Sequence, residues 1–203
     1  MGRSISTASL DKRESKKTLS DNDLSNIASI NPNDSARIVV LSGEVSEQSI
    51  TMVVAQLLHL ASQNNKPIHL VISTYGGSVD EMFTLYDTIK FLPCPVHTIA
   101  LGKVMSAGVL LLASGTKGKR MIGRSARIMM HSISGGYSGN IFEVINDTKE
   151  MKRQQDQMVS AIVKETKTTK AEIEKLMKSG HDVFLSPPEA IKLGIVDKII
   201  GDD

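Results

Sequence analysis

Two periodicities alternate along most of the chain. From Arg37, RIVVL is an apolar run of strand length, and SEQSITMVVAQLLHLAS then sets apolar residues at helical spacing behind Ser46, a natural N-cap. KPIHLVIST reads as a buried strand and GGSVDEMFTLYDTIKFL as a second helix. PCPVHTIAL is a third strand entered through proline, SAGVLLLAS a short buried helix, and KRMIG and ARIMMHSIS two further strands. A long polar-rich helix is predicted from about Asn140 to Glu165, with its apolar residues in a stripe too narrow to stabilise it against one core. Thr169 with Glu172, and Ser186 with Pro187 and Glu189, carry the spacing of helix N-termini, and Gly194 closes the last helix before the strand IVDKII.

Strands alternating with helices through short connections predict an α/β fold of repeated β-α-β units around a parallel sheet. In such sheets ligands bind outside the carboxyl ends of the strands. Two loops fall there: TYGG after the second strand and GKVMS after the third.

Residues 1–35 break the pattern. They are rich in Ser, Asp, Asn and Lys and poor in large apolar side chains, the composition of a flexible arm or a removable leader. Residues 36–203 then make a single domain of ordinary size. Net charge is +2, from 24 basic and 22 acidic residues, too balanced to argue for a nucleic-acid or membrane surface. The single cysteine, Cys94, excludes an internal disulfide and a cysteine-based zinc cluster, which points to a reducing, cytoplasmic setting and a buried thiol. No stretch has the apolar length of a membrane helix, so no membrane partner is expected.

Nucleophilic hydrolysis needs a hydroxyl, a base within hydrogen-bond reach, an acid to orient the base, and N–H donors for the oxyanion. Ser106, followed by the small Ala107 and Gly108 at a helix start, has an open approach and an unpaired helix amide beside it; taken alone it reads first as a plain N-cap. His131 ends the strand RIMM before a glycine-rich turn, where a base can be mounted, whereas His59, His69 and His97 lie in helix or strand patterns and His181 in a loop. Asp182 opens the apolar run DVFL, where a carboxylate is costly unless paired, and it reads also as a turn aspartate. Gly76 and Gly77 allow close backbone approach and offer amides to an anion. Neither G-x-G-x-x-G nor G-x-x-x-x-G-K-[ST] occurs, and no nucleotide or other cofactor is expected; Val104 two residues before Ser106 excludes the G-x-S-x-G nucleophile elbow of hydrolases.

Five ordered blocks, RIVVLSGEV, HLVISTYGGSVDEMFTLYDTIKF, TIALGKVMSAGVLLLASGTKGKR, RIMMHSISGGYSGN and HDVFLSPPEAIKLGIVDKI, resemble the proteolytic subunit of the Clp protease family over about residues 37 to 200. The resemblance implies a ClpP/crotonase-like fold with a protruding handle helix within about 132–165. It places the nucleophile on Ser106, the base on His131, the orienting acid on Asp182 and the oxyanion amides on Gly77 and Ala107. It implies that Gly76, Ser78 and Val79 on one side, and Ser132 and Ile133 on the other, hold a peptide as an added strand. It further implies two stacked seven-membered rings of identical subunits, peptide and unfolded-protein substrates, and an AAA+ Clp ATPase unfoldase as partner. The alternative is a catalytically silent ring subunit that assembles with an active paralogue. Tyr75 stands where the family shows proline, and Ser132-Ile133 where it shows Gln-Pro. The N-terminal arm lies outside the resemblance.

Overall fold

Strand β1 (Ile38–Val45) feeds helix α1 (Glu47–Gln63), β2 (Ile68–Gly77) feeds α2 (Val79–Phe91), and β3 (Val96–Met105) feeds the short α3 (Ala107–Ala113). After β4 (Met121–Ile122) and β5 (Arg127–Met130) come α4 (Ile141–Glu165), α5 (Lys170–Met177), β6 (Val183–Leu185), α6 (Pro187–Leu193) and β7 (Lys198–Ile199). The structure, a computed structural model, describes residues 36–177 and 180–201, so the arm or leader read in residues 1–35 lies outside the described residues.

The sheet runs β1-β2-β3-β4-β7 with all neighbours parallel, as the alternation predicts. Two features depart from that prediction. β3 forks the sheet: Ile99 and Ala100 pair with β4, whereas Lys103, Val104 and Met105 pair with β5. β6 runs antiparallel to β5, adding a short ribbon beyond the fork. The strands also outrun the expected ones, for TYGG is the end of β2 and GKVM the end of β3. Bulged extensions, not loops, therefore carry these residues: the β1–β2 register shifts at Gly43/Glu44, the β2–β3 register between Ile72 and Thr74, and Gly102 has φ +67°.

Capping follows the sequence. Ser46 accepts from the Ser49 amide at the start of α1, Thr169 and Glu172 exchange bonds ahead of α5, and Ser186 donates to Glu189 at α6. Gly194 ends α6 in the left-handed region at φ +74°. Every residue of α3 is buried, so its leucines fix the helix that follows Ser106. Cys94 is buried as expected.

Helix α4 has two characters. Its last turns bury Met158, Val159, Ala161 and Ile162, whereas Ile141 and Phe142 near its start are 65% and 75% exposed. Its final residue, Glu165, is buried and accepts the Tyr86 hydroxyl at 2.9 Å while pairing with Lys90 at 2.9 Å. Burial and the neighbouring Glu165 together push the Tyr86 phenol well above its ordinary range. Arg120, itself buried, donates to the Glu165 carbonyl at 2.7 Å and clamps Asp197 with two guanidinium bonds, tying the end of α4 to β4 and β7.

Candidate active site

Ser106 sits between β3 and α3 with φ +51°, in a region that non-glycine residues avoid. Its side chain makes no capping bond, so the plain N-cap reading fails. The strained residue is held from both sides: its amide donates to the Met129 carbonyl of β5 at 2.8 Å, and its carbonyl accepts from Val109 at 3.0 Å. The β3–β5 pairing thus fixes which strand end faces the serine.

That strand end delivers His131. Its Nε2 lies 2.7 Å from Ser106 Oγ, a hydrogen bond of the length a base and a hydroxyl nucleophile require. Asp182, one residue ahead of β6, is carried in by the antiparallel β5–β6 ribbon and puts Oδ1 3.7 Å from His131 Nδ1. This is ion-pair range and longer than a hydrogen bond, in line with the loose contacts common before substrate binds. Burial does not force the pairing, contrary to the reading from DVFL: the Asp182 side chain is 53% exposed, because β6 begins only at Val183. The remaining histidines stay apart. His59 and His181 are exposed, and His69 and His97 pair with each other across β2 and β3.

The glycine pair packs directly on the serine. A Cβ on Gly76 would fall 2.7 Å from Ser106 Cβ and 3.2 Å from the Ala107 amide, and one on Gly77 only 2.3 Å from the Val45 carbonyl. With φ +102° and +150°, these two positions admit glycine alone at low cost. Ala107 is the first residue of α3, where an amide has no partner within its own helix. Ser78 caps α2 by accepting from the Glu81 amide, and Val79 lines a cavity of about 230 Å³ beside Ser106, together with Tyr75, Met82, Met129, Ile133 and Met158. The three methionines come from separate elements with no shared sequence signal, and the sequence reading did not find them.

After His131 the chain has no regular structure, although ARIMMHSIS reads as a strand throughout. Side chains hold it instead: Ser132 donates to the Met177 carbonyl at 2.8 Å, and the Ile133 amide donates to Gln155 Oε1 at 2.8 Å. Gln155, on the buried side of α4, carries no pattern that marks it. Tyr75 stands exposed at the cavity rim with the Lys103 ammonium 4.6 Å above its ring. Among the described residues no group of three or more His, Cys, Asp or Glu could hold a metal ion.

The site therefore has a hydroxyl on a strained turn, an imidazole bonded to it, a carboxylate behind the imidazole, and glycine backbone packed against the serine and the start of its helix. Such a set can form and break an acyl-serine ester. A family model described as Clp protease matches residues 22–203, reaching upstream of the span over which the blocks show the resemblance.

Proposed function

Because the chain belongs to the Clp protease family, we propose that it is the peptidase core of a Clp-type serine endopeptidase, cleaving peptides and unfolded proteins through an acyl-enzyme. Ser106 Oγ attacks the scissile carbonyl, and His131 Nε2 takes its proton and later delivers it to the leaving amine. Asp182 holds the imidazole with Nδ1–H toward the carboxylate and steadies the imidazolium as it forms. The Gly77 and Ala107 amides take the charge that develops on the carbonyl oxygen, and water then hydrolyses the ester with His131 again as base. Gly76, Ser78 and Val79 flank one side of the peptide and Ser132 and Ile133 the other, through main-chain bonds that tolerate many sequences.

The observation that carries this reading is the 2.7 Å contact between Ser106 and His131, made by a serine whose φ of +51° the fold maintains without any capping bond. Backbone strain of this kind gathers at functional sites, and here it aims the hydroxyl at an imidazole. On this reading α4 is the handle by which two seven-membered rings stack, and its exposed Ile141 and Phe142 are covered by another copy. Family members generally work with Clp ATPases, which here would supply the unfolding that the chain has no nucleotide motif to perform.

Labelling by a fluorophosphonate probe, with turnover of a short fluorogenic peptide, tests the proposal. The wild-type protein should be labelled and should turn over, and Ser106→Ala should be unlabelled with turnover reduced by about 10⁵-fold or more. Unchanged turnover in Ser106→Ala would overturn the assignment, and a wild-type protein that stays unlabelled when assembled would mark the chain as a silent subunit.

A further inference from the structure

The geometry points to Thr74 as a positioning residue that aims the glycine pair at the reacting carbonyl. Thr74 is fully buried on β2, between the two places where the register of this strand breaks. On the β1 side the register passes from Gly43–Thr74 to Glu44–Gly76, so Tyr75 is an extra residue on β2. On the β3 side Ile72 pairs with Ala100 but Thr74 with Val104, so three residues of β3 face one of β2. Bulges release backbone groups from the ladder, and a buried group so released needs another partner.

The Thr74 side chain supplies that partner. Its hydroxyl donates to the Gly43 carbonyl and accepts the Gly76 amide at 2.9 Å, closing a bridge from β1 through one side chain to the first glycine. Gly76 is the residue packed on Ser106 and the Ala107 amide, and Gly77 follows it. The same side chain reaches the nucleophile's helix: a Cβ on Gly108 would lie 2.6 Å from Thr74 Cγ2. One buried residue thus touches both the strand that carries the Gly77 amide and the helix that begins with the Ala107 amide. The hydroxyl sets the angle of the first, and the methyl only packs on the second.

The role rests on the peptidase reading and deepens it. Without the hydroxyl, Gly76 loses this bond and the Gly77 amide drifts, so an interaction made mainly in the transition state weakens while substrate still binds. Loss of one whole oxyanion donor costs about 10²–10³ in kcat, so a mis-aimed one should cost about 10- to 100-fold.

Thr74→Val keeps the shape and removes the hydroxyl; Thr74→Ser keeps the hydroxyl and removes the methyl. In Thr74→Val kcat should fall about 10- to 100-fold with KM within about 2-fold, and a peptide aldehyde, which places an oxyanion in the same position, should bind more weakly by a similar factor. Thr74→Ser should keep kcat within about 3-fold even where its thermal midpoint drops. If Thr74→Val does not fold, Thr74→Ala against Thr74→Ser makes the same comparison. Wild-type kcat in Thr74→Val, a Thr74→Ser variant as slow as Thr74→Val, or a loss confined to KM would each overturn the role. Failure of the peptidase reading is distinguishable, since wild-type protein and Ser106→Ala would then be equally inactive and equally unlabelled.

Discussion

On the peptidase reading, a single methyl group at Gly76 is enough to disturb the chemistry. Gly76→Ala must tolerate φ +102° and a Cβ 2.7 Å from that of Ser106, so either the glycine strand or the nucleophile must move. Because a shift of about 1 Å in a reacting group can cost about 10²-fold, peptide turnover should fall at least that far, more than its loss of thermal stability would explain. Turnover measured beside a melting curve checks this. Asp182 behaves differently. It is half exposed and 3.7 Å from the imidazole, so Asp182→Asn should lower kcat by about 10³-fold, short of the ~10⁴ seen where the acid is buried. Single-turnover acylation of a peptide ester measures that step, and an effect below tenfold would remove Asp182 from the constellation. At this scale the sequence was legible only in part. Ser106 and Asp182 each admit a bland reading, as cap and as turn, and what sets them beside His131 is a positive φ and two distances, none of which a one-dimensional pattern contains.

The elements themselves were plainer, because capping and periodicity are local. Ser46, Asn140, Thr169 and Gly194 end their helices where their side chains or their backbone freedom say they should. Bulges were not legible: TYGG and GKVM contain glycine and read as loops, yet pairing with β1 and β5 keeps them in the sheet. The stretch after β5 shows the converse, a strand-like sequence that tertiary bonds hold out of the sheet. Gln155 of α4 satisfies the Ile133 amide, a donor that the proline usual in the family would not have. Gln155→Leu should therefore cost about 1–3 kcal/mol in chemical denaturation, whereas combining it with Ile133→Pro should add little. Between β2 and β3, burial lowers the His69 and His97 imidazoles, and the charges of His69 and Lys119 lower His97 further. A lowered imidazole favours the neutral folded state, so the stability it contributes is whole above the ordinary histidine range and is lost as pH falls through the depressed values. Denaturation midpoints taken from pH 7.5 down to about 5 should decline, and the His69→Gln/His97→Gln double variant should flatten that decline.

Over the whole molecule the alternation of strands and helices gave the parallel sheet, because each β-α-β unit closes on a neighbour in the chain. The fork at β3 and the antiparallel β6 join segments far apart in sequence, and nothing local announces them. The same distance lies behind the Arg120 clamp, which ties the end of α4 to Asp197 ahead of β7. Burial by itself raises the Asp197 carboxyl, but the side-chain and backbone bonds from Arg120 and its charge outweigh that and hold it below the usual range. A depressed carboxyl stabilises fully above the ordinary carboxylate range and loses that contribution as pH falls through its folded value. Arg120→Ala, which leaves the partly buried Asp197 carboxylate with backbone donors alone and takes the guanidinium donor from the buried Glu165 carbonyl, should cost about 3 kcal/mol in chemical denaturation at neutral pH. The site is spread as widely as the clamp, for Ser106 follows β3, His131 follows β5 and Asp182 precedes β6, and they meet only when the forked part of the sheet has closed. On the peptidase reading this dispersal is a safety device during synthesis: the serine leaves the ribosome before its base exists and the base before its acid, so the nascent chain is harmless to itself and to its neighbours until the last partner strand docks.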